Sequence, residues 1–252
     1  MITVGLLGCG NIGHVIAKGQ ENFKITAVYD VVFERAEAFG REFGAAPYSD
    51  FSEFLKEPTD IVVEAASVAA ATSHAESILL AGKDLVIMSV GALADISFRE
   101  ELIQTAREMK KQIHIPSGAI MGLDNIRVGQ ISSIDKFVLR TTKNPKSLSR
   151  EAEEKTCIFS GKAYDCVHQY PKNTNVAESL SIACGRDVDV DIRVFRILMR
   201  NMHEIFFEGE FGEAYIRVRN VPSPDNPATS YLAALSILSL LKNLDNPLVI
   251  GA

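Results

Sequence analysis

The chain has 252 residues, of which 47% are hydrophobic and 23% are charged, and its formal net charge at pH 7 is −6. These proportions are typical of a globular protein with enough apolar material for one large core or two small ones. The negative charge argues against a nucleic acid or an anionic membrane as a partner, because either would need a basic surface.

The remaining global features predict a cytoplasmic protein. The N-terminus lacks the basic region and cleavage site of a signal peptide, and the apolar segment at residues 231–241 is too short to cross a membrane. The four cysteines form no CxxC pair and no zinc-ligand spacing with histidines. We therefore expect reduced thiols and no metal site.

The first thirty residues carry the strongest motif. Residues 2–7 form an apolar run that is typical of a strand buried on both faces of a parallel sheet. Gly8-Cys9-Gly10-Asn11-Ile12-Gly13 follows directly, a complete G-x-G-x-x-G, and a helical pattern continues to about residue 23. A second strand at residues 25–29 ends in Asp30, 20 residues after Gly10. This order predicts a Rossmann-type βαβ unit that binds a dinucleotide.

Each glycine of the motif has a mechanical role. Gly8 allows a tight turn, Gly10 allows the backbone to approach a pyrophosphate, and Gly13 allows close packing of helix and strand. The free N–H groups of the loop, including those of Asn11 and Ile12, and the positive end of the helix then bind the phosphates.

Asp30 predicts the cofactor. Its carboxylate is expected to accept hydrogen bonds from the adenine ribose and to repel a 2′-phosphate, and Val31 and Val32 supply no cation to offset that repulsion. We expect NAD to be preferred, with NADP as the alternative. A helix N-cap is a second interpretation of Asp30, compatible with the first.

Strands and helices continue to alternate up to residue 116, which predicts a doubly wound parallel sheet. Strands are expected at 60–66, 85–88 and 112–116, with helices at 73–81 and from a capping box at Ser97–Glu100 to about residue 111. Ligands bind beyond the carboxyl ends of such strands. The ends are Gly8–Gly13, Asp30, Ala65–Ser67, Ser89–Gly91 and Ser117–Ala119.

The second half of the chain has a different pattern. Alternating apolar residues predict strands, which indicate a second α/β domain with a mostly antiparallel sheet. These strands are expected at 133–142, 156–160, 188–195, 202–207 and 214–218; a turn at 143–145 and helices at 161–169, from Asn175, and at 226–244 complete the prediction. The expected domains are a dinucleotide-binding domain at 1–120, a substrate-binding and dimerisation domain at 121–226, and a final helix at 227–252 that packs back on the first domain.

Several side chains are candidates for chemistry. An NAD enzyme without a metal often uses histidine as its proton carrier, but the pattern does not decide among His14, His74, His114, His168 and His203. Asn173 and Asn175, next to Lys172, form a polar corner at a helix N-terminus, which favours anion binding or capping. Arg217 and Arg219 share one face of a strand, which suits either a dicarboxylate or solvent.

With these residues in view, the chain resembles the L-aspartate dehydrogenase family of archaea and thermophilic bacteria. The likeness spans the whole length, and the later motifs in their order are specific to the family. They are Glu64-Ala65-Ala66-Ser67, Ile115–Ile120 with Gly122-Leu123-Asp124, Pro171-Lys172-Asn173 with Asn175-Val176-Ala177, His203-Glu204-Ile205, and Val221–Pro227 with Thr229-Ser230.

The resemblance implies a Rossmann domain, a second α/β domain that forms a homodimer, and a last helix that returns to the first domain. It implies NAD(P)-dependent oxidation of L-aspartate to iminoaspartate, which either hydrolyses to oxaloacetate and ammonia or feeds NAD biosynthesis. It places the catalytic histidine at His203. It places cofactor contacts at Gly8–Gly13, Asp30, Ala119 and one of Asn173 or Asn175, and the strand-end residues Ala66 and Ser67 complete the predicted cofactor site.

Two residues depart from the family pattern. Ala228 stands where the family commonly has a lysine, and Met121 stands where a glycine is usual. These departures keep two alternatives open. One is a related oxidoreductase acting on another amino acid, an imine or a hydroxy acid. The other is a non-catalytic NAD(H)-binding sensor, which the presence of His203 and the asparagine corner argues against.

Overall fold

The computed structural model describes residues 1–145, 154–170, 175–196, 198, 200–223 and 226–250. The chain divides into two compact units, of which the first comprises Met1–Pro116 and Ala234–Val249 and the second contains Ser117–Ala233. The assignment of separate roles to residues 1–120 and 121–226 stays a prediction. No helix in the described part of the chain is long and apolar enough to span a membrane.

The first unit contains a parallel sheet with helices in its connections. The strands are β1 (Ile2–Leu7), β2 (Phe23–Tyr29), β3 (Ala46–Tyr48), β4 (Ile61–Glu64), β5 (Asp84–Ile87) and β6 (Ile113–His114). The helices are α1 (Asn11–Lys18), α2 (Phe33–Phe43), α3 (Phe51–Lys56), α4 (Val68–Leu80) and α5 (Ile96–Met109). The sheet order is β3-β2-β1-β4-β5-β6, and every neighbouring pair is parallel.

This order confirms the predicted doubly wound sheet, and it places the ends of β1 and β4 next to each other. β1 is paired on both sides and almost completely buried, which explains its continuous apolar sequence. The sequence pattern missed β3 and α3 because both are short and β3 contains Pro47.

The second unit contains a mixed sheet. Its strands are β7 (Ile134–Lys143), β8 (Thr156–Lys162), β9 (Asp189–Val194), β10 (Met202–Gly209) and β11 (Gly212–Arg219), and its helices are α6 (Leu123–Ile126), α7 (Ala163–Gln169) and α8 (Asn175–Cys184). The order is β11-β10-β7-β9-β8. Only β7 and β9 are parallel among these described neighbours, so the prediction of a mostly antiparallel sheet is confirmed.

One face of this sheet forms the core of the second unit. Its apolar side chains pack with those of α7 and α8. The core residues of the two central strands are Phe137 and Leu139 on β7 and Ile205 and Phe207 on β10. Because side chains alternate along a strand, Thr141 and Lys143 of β7 and His203 of β10 continue this same face.

The last helix returns to the first unit. The predicted helix at 226–244 is wrong at its start, because β12 (Pro222–Ser223) pairs with β13 (Asn226–Ser230) and α9 begins only after that, as Tyr231–Asn243. Ile237 and Leu241 of α9 are fully buried in the core that contains Val4 and Phe23. Lys242 also forms an ion pair with Glu21, with 2.6 Å between Nζ and Oε2.

Two further local predictions are wrong. Helix α5 is capped by Asp95, whose carboxylate accepts a hydrogen bond from the Phe98 N–H, whereas Ser97 donates to Glu101 on the helix surface. The predicted turn at 143–145 begins too early, because Lys143 still belongs to β7 and its carbonyl accepts a hydrogen bond from the Phe195 N–H.

Candidate functional site

The glycine loop lies at the carboxyl end of β1, between the ends of β2 and β4. Gly8 has a φ of +103°, and its N–H donates to the Tyr29 carbonyl at 2.8 Å. A Cβ on Gly8 would lie 2.8 Å from the Ala65 carbonyl oxygen, and one on Gly13 would lie 2.8 Å from the Gly8 carbonyl oxygen. Both glycines are therefore required by close backbone contacts, as the motif predicts.

Gly10 differs from these two glycines. A Cβ at Gly10 would have no heavy atom of the described residues within 4 Å, and its φ of −83° is accessible to any residue. Packing within the protein therefore does not explain this glycine. The open space above it fits a group that approaches the backbone at the N-terminus of α1, as a pyrophosphate does in a dinucleotide site.

Asp30 is buried and bonded to the backbone of the glycine loop. Its carboxylate accepts hydrogen bonds from the N–H groups of Cys9 and Val32, both at 2.9 Å. The N-cap interpretation is wrong, because the N-cap of α2 is Val32. A carboxylate has about four acceptor positions, so these two bonds leave capacity for ribose hydroxyls.

Glu64 also lies at the carboxyl ends of the parallel strands, and the sequence pattern predicted no role for its side chain. It ends β4, is 1% exposed, and accepts hydrogen bonds from the N–H groups of Ala66, Ser67 and Ser89 and from the Ser89 hydroxyl, at 2.9–3.0 Å. Burial raises its pKa, and these four bonds oppose that rise. Glu64 thus ties together the ends of β4 and β5, where the predicted cofactor residues Ala66 and Ser67 lie. An acid at the end of an otherwise apolar strand was the signal in the sequence.

His203 lies on the covered face of the second sheet. It is 6% exposed and pairs across the strands with Thr141, and its Nδ1 is 2.9 Å from the Thr141 hydroxyl oxygen. In the tautomer with a proton on Nδ1, the ring donates to that hydroxyl and its Nε2 keeps a lone pair for accepting a proton. The contact therefore orients the ring.

Lys143 lies beside this pair. Burial lowers the pKa of Lys143 to about 8, which the nearby Cys166 thiol partly opposes. Burial, together with the positive charge of Lys143, lowers the pKa of His203 to about 3. His203 is thus neutral and Lys143 mostly charged near pH 7.

The other four histidines lie at different positions and are less buried than His203. His14 packs edge-on against Phe39 and its Nδ1 lies 2.9 Å from the Gly10 carbonyl oxygen, while His74 packs against Phe51. His114 lies in β6, where burial lowers its pKa. His168 is exposed on α7. His203 is the most deeply buried of the five.

The remaining predicted contacts fall in the second unit or outside the described residues. The carbonyl of Ala119 accepts a hydrogen bond from the amide of Asn220 at 2.9 Å, and Asn220 is only 3% exposed. Asn175 is the first residue of α8, whereas Asn173 lies outside the described residues. Met121, at the position where a glycine is usual, is 57% exposed.

Arg217 and Arg219 lie on the opposite face of the sheet from His203. In the register of β10 and β11, Val218 pairs with His203, so its neighbours Arg217 and Arg219 point to the other side. Both are exposed, which favours the solvent interpretation over dicarboxylate binding beside His203. Within the described residues, no group of three or more His, Cys, Asp or Glu side chains is arranged to hold a metal ion.

Comparison with known proteins agrees with both units. Residues 8–116 match the model of the homoserine dehydrogenase NAD-binding domain, and residues 124–244 match that of the aspartate dehydrogenase C-terminal domain. L-aspartate dehydrogenase of Methanospirillum hungatei is 56% identical over 252 residues, and that of Archaeoglobus fulgidus is 43% identical over 251 residues, with 99–100% of each chain covered. The crystal structure of aspartate dehydrogenase from Thermotoga maritima matches with a TM-score of 0.85 and 28% identity, covering 100% of both chains.

The parallel sheet, the glycine loop and these matches define a pyridine-nucleotide-dependent oxidoreductase. The second unit narrows this class, because its match is to the aspartate dehydrogenase C-terminal domain and the relatives match along the full chain. The chain belongs to the L-aspartate dehydrogenase family.

Proposed function

We propose that the protein oxidises L-aspartate to iminoaspartate with NAD, and that water then converts iminoaspartate to oxaloacetate and ammonia. The observation that carries the substrate is the 56% identity over the full chain to an L-aspartate dehydrogenase. The buried, neutral His203 supports an enzyme over a binding module, because a dinucleotide sensor needs no oriented base in its second unit. The iminoaspartate formed is also available to NAD biosynthesis.

We assign His203 as the general base and acid. A nicotinamide cofactor, when bound, accepts the hydride that leaves the substrate Cα. His203 accepts the proton that the substrate amine loses and later activates the water that attacks the imine carbon. Thr141 fixes the ring for both steps through its contact with Nδ1. The cofactor residues are Gly8, Gly10, Asn11, Ile12, Gly13, Asp30, Ala66, Ser67, Ala119, and Asn173 or Asn175.

We propose that NAD is preferred over NADP because of Asp30. Its buried carboxylate would repel a 2′-phosphate, and the exposed residues that follow, Val31 and Val32, are apolar. In Asp30→Asn and Asp30→Ala, we expect the ratio of kcat/KM for NAD to kcat/KM for NADP to fall at least about tenfold, equal to about 1.4 kcal/mol. An unchanged ratio in both variants would contradict the ribose role.

The substrate is tested with the purified protein and a panel of amino acids. L-aspartate with NAD should give NADH, monitored at its absorbance band, whereas D-aspartate and L-glutamate serve as controls. Turnover of another amino acid or a hydroxy acid, with none of L-aspartate, would identify a related oxidoreductase. Tight NADH binding without turnover of any substrate would identify a binding module.

We also propose a cytoplasmic homodimer that uses the uncovered face of the second sheet. This face carries the paired rings of Phe206 and Tyr215, 4.9 Å apart, with the Arg140 guanidinium 5.1 Å from the Phe206 ring centre. Tyr215 is exposed and Phe206 and Arg140 are half-buried, and an accessible patch of aromatic rings and arginine is typical of protein interfaces. Light scattering of the purified protein should give twice the monomer mass, and a monomer at micromolar concentration would contradict this.

A further inference from the structure

The turn at residues 117–120, which contains Ala119, is held at two points within the second unit. The Ile120 N–H donates to the Ser117 carbonyl across the turn at 3.3 Å, and the Ile120 side chain is fully buried in the core of that unit. The Ala119 carbonyl accepts a hydrogen bond from the side-chain amide of Asn220 at 2.9 Å. Because Asn220 is 101 residues away along the chain, this second contact depends on the fold of the unit.

Asn220 lies on the face of the sheet that carries His203. In the register of β10 and β11, Val218 pairs with His203. The pairing continues beyond the end of β11, because the Asn220 N–H donates to the Asn201 carbonyl at 2.8 Å. Since side chains alternate along a strand, Asn220 lies on the same face as Val218 and His203, one pair further along. Its amide therefore joins the turn that contains Ala119 to the strand pair that carries the proposed base.

Only one end of the Asn220 amide is hydrogen-bonded. The NH₂ group has to face the Ala119 carbonyl, because an amide oxygen in its place would have no proton to donate. The amide oxygen is buried and has no hydrogen-bond partner among the described residues. A buried acceptor without a partner destabilises a protein, and an apolar side chain of similar size would avoid that loss. Stability alone therefore does not explain an amide at this position.

We propose that Asn220 is a positioning residue for hydride transfer, because its amide holds the Ala119 carbonyl, and with it the turn at residues 117–120, at a fixed place relative to His203. This inference rests on the proposed function, in which Ala119 contacts the cofactor and His203 accepts the proton. The rate of such a reaction depends on alignment, and a displacement of about 1 Å can lower it about 100-fold. Asn220 acts through Ala119 and takes no part in the chemistry itself.

Asn220→Leu tests the proposal, because leucine keeps a side chain of similar size without the amide. We expect kcat for L-aspartate, and the rate of NADH formation in a single turnover, to fall roughly 10- to 100-fold. The KM for L-aspartate and the Kd of NADH should change less than about threefold. The melting temperature should not fall, because the unpaired oxygen is removed together with the amide. An amide with only a structural role would give the reverse, a lower melting temperature and an unchanged single-turnover rate.

Gln130→Met is the matched control. The side-chain amide of Gln130 also donates to a backbone carbonyl of the second unit, that of Ala183 at 2.7 Å, at the opposite end of α8 from Asn175. Its loss should leave kcat and the single-turnover rate unchanged. If Asn220→Leu does not fold, Asn220→Ala takes its place, with the same fall in the single-turnover rate expected.

Hydrogen–deuterium exchange of the peptide that spans residues 117–120 tests the contact without turnover. In Asn220→Leu this peptide should exchange at least about threefold faster than in wild type, and in Gln130→Met at the wild-type rate. A wild-type single-turnover rate in folded Asn220→Leu, or unchanged exchange of this peptide, would overturn the proposal. If wild-type protein does not oxidise L-aspartate, the proposed function fails, and the exchange measurement then decides separately whether Asn220 holds the turn.

Discussion

The two units bury ionisable side chains in different ways. In the first unit, Asp30 and Glu64 accept hydrogen bonds from backbone N–H groups of the loops that end the strands, so their oxygens fix the loop backbone. In the second unit, His203 and Lys143 are bases whose charged forms are disfavoured by burial. The first site thus holds buried acids bonded to the backbone, whereas the second holds buried bases whose uncharged forms are favoured.

The largest effect is expected from His203→Ala, which tests whether catalysis and cofactor binding depend on different units. Because His203 is assigned the proton transfers, His203→Ala should lower kcat by roughly 10²–10⁴-fold, while the affinity for NADH, which depends mainly on the first unit, stays nearly unchanged. His168→Ala, at an exposed histidine of the same unit, is the matched control. Retained turnover in His203→Ala would remove His203 from the mechanism.

Gly10→Ala tests whether the glycine at this position is needed for ligand binding and not for packing within the protein. Gly10→Ala meets no described atom within 4 Å, so the protein should fold with wild-type stability. A bound pyrophosphate would collide with the new methyl group, and the Kd of NADH should rise at least about tenfold. Gly13→Ala is the contrasting variant, since its Cβ would meet the Gly8 carbonyl and the melting temperature should fall. Wild-type NADH affinity in Gly10→Ala would place the pyrophosphate elsewhere.

Glu64 tests the cost of losing a buried acceptor. A glutamine amide has one acceptor oxygen where the carboxylate has two, so in Glu64→Gln the donors now bonded to Oε1 and Oε2 cannot all be satisfied. We expect the free energy of unfolding, from urea titration, to fall by about 1–3 kcal/mol. Glu100→Gln, on the exposed side of α5, should have no measurable effect. Equal stability of the two variants would show that these hydrogen bonds do not support the edge.

Thr141 should give the smallest effect. Thr141→Val removes the hydroxyl that contacts His203 while keeping the shape, and the loss of about 1 kcal/mol of orientation should lower kcat about fivefold. Thr142→Val is the neighbouring control, because the buried Thr142 hydroxyl has no hydrogen-bond partner among the described residues. If both variants retain wild-type kcat, the orientation of His203 does not depend on Thr141.

The sequence predicted the first unit well because its main signals are local. Strand β1, the glycine loop and Asp30 lie within 30 consecutive residues, and a strand buried on both faces is recognisable as a continuous apolar run. Errors occurred where local signals conflict. Strand β13 lies directly before an apolar helix, so the helical pattern was extended through it, and Asp95 and Ser97 both resemble caps of α5.

The second site was less accessible to sequence reasoning because its contacts are distant along the chain. Thr141 and His203 are 62 residues apart, and only the strand register brings them together. The same register places Arg217 on the face opposite His203 and Lys143 on the same face as His203. A single sequence does not specify which strands pair, so the lysine was assigned to a turn.

The return of α9 to the first unit has a consequence for biosynthesis. Ile237 and Leu241 lie in the core that contains Val4 and Phe23, so the amino-terminal unit lacks part of its core until α9 has left the ribosome. The second unit, by contrast, is nearly complete in sequence once Ala233, near the start of α9, has emerged. The second unit should therefore complete its fold before the first unit does. A premature stop before residue 237 would leave the first unit with exposed apolar surface, which chaperones and proteases recognise.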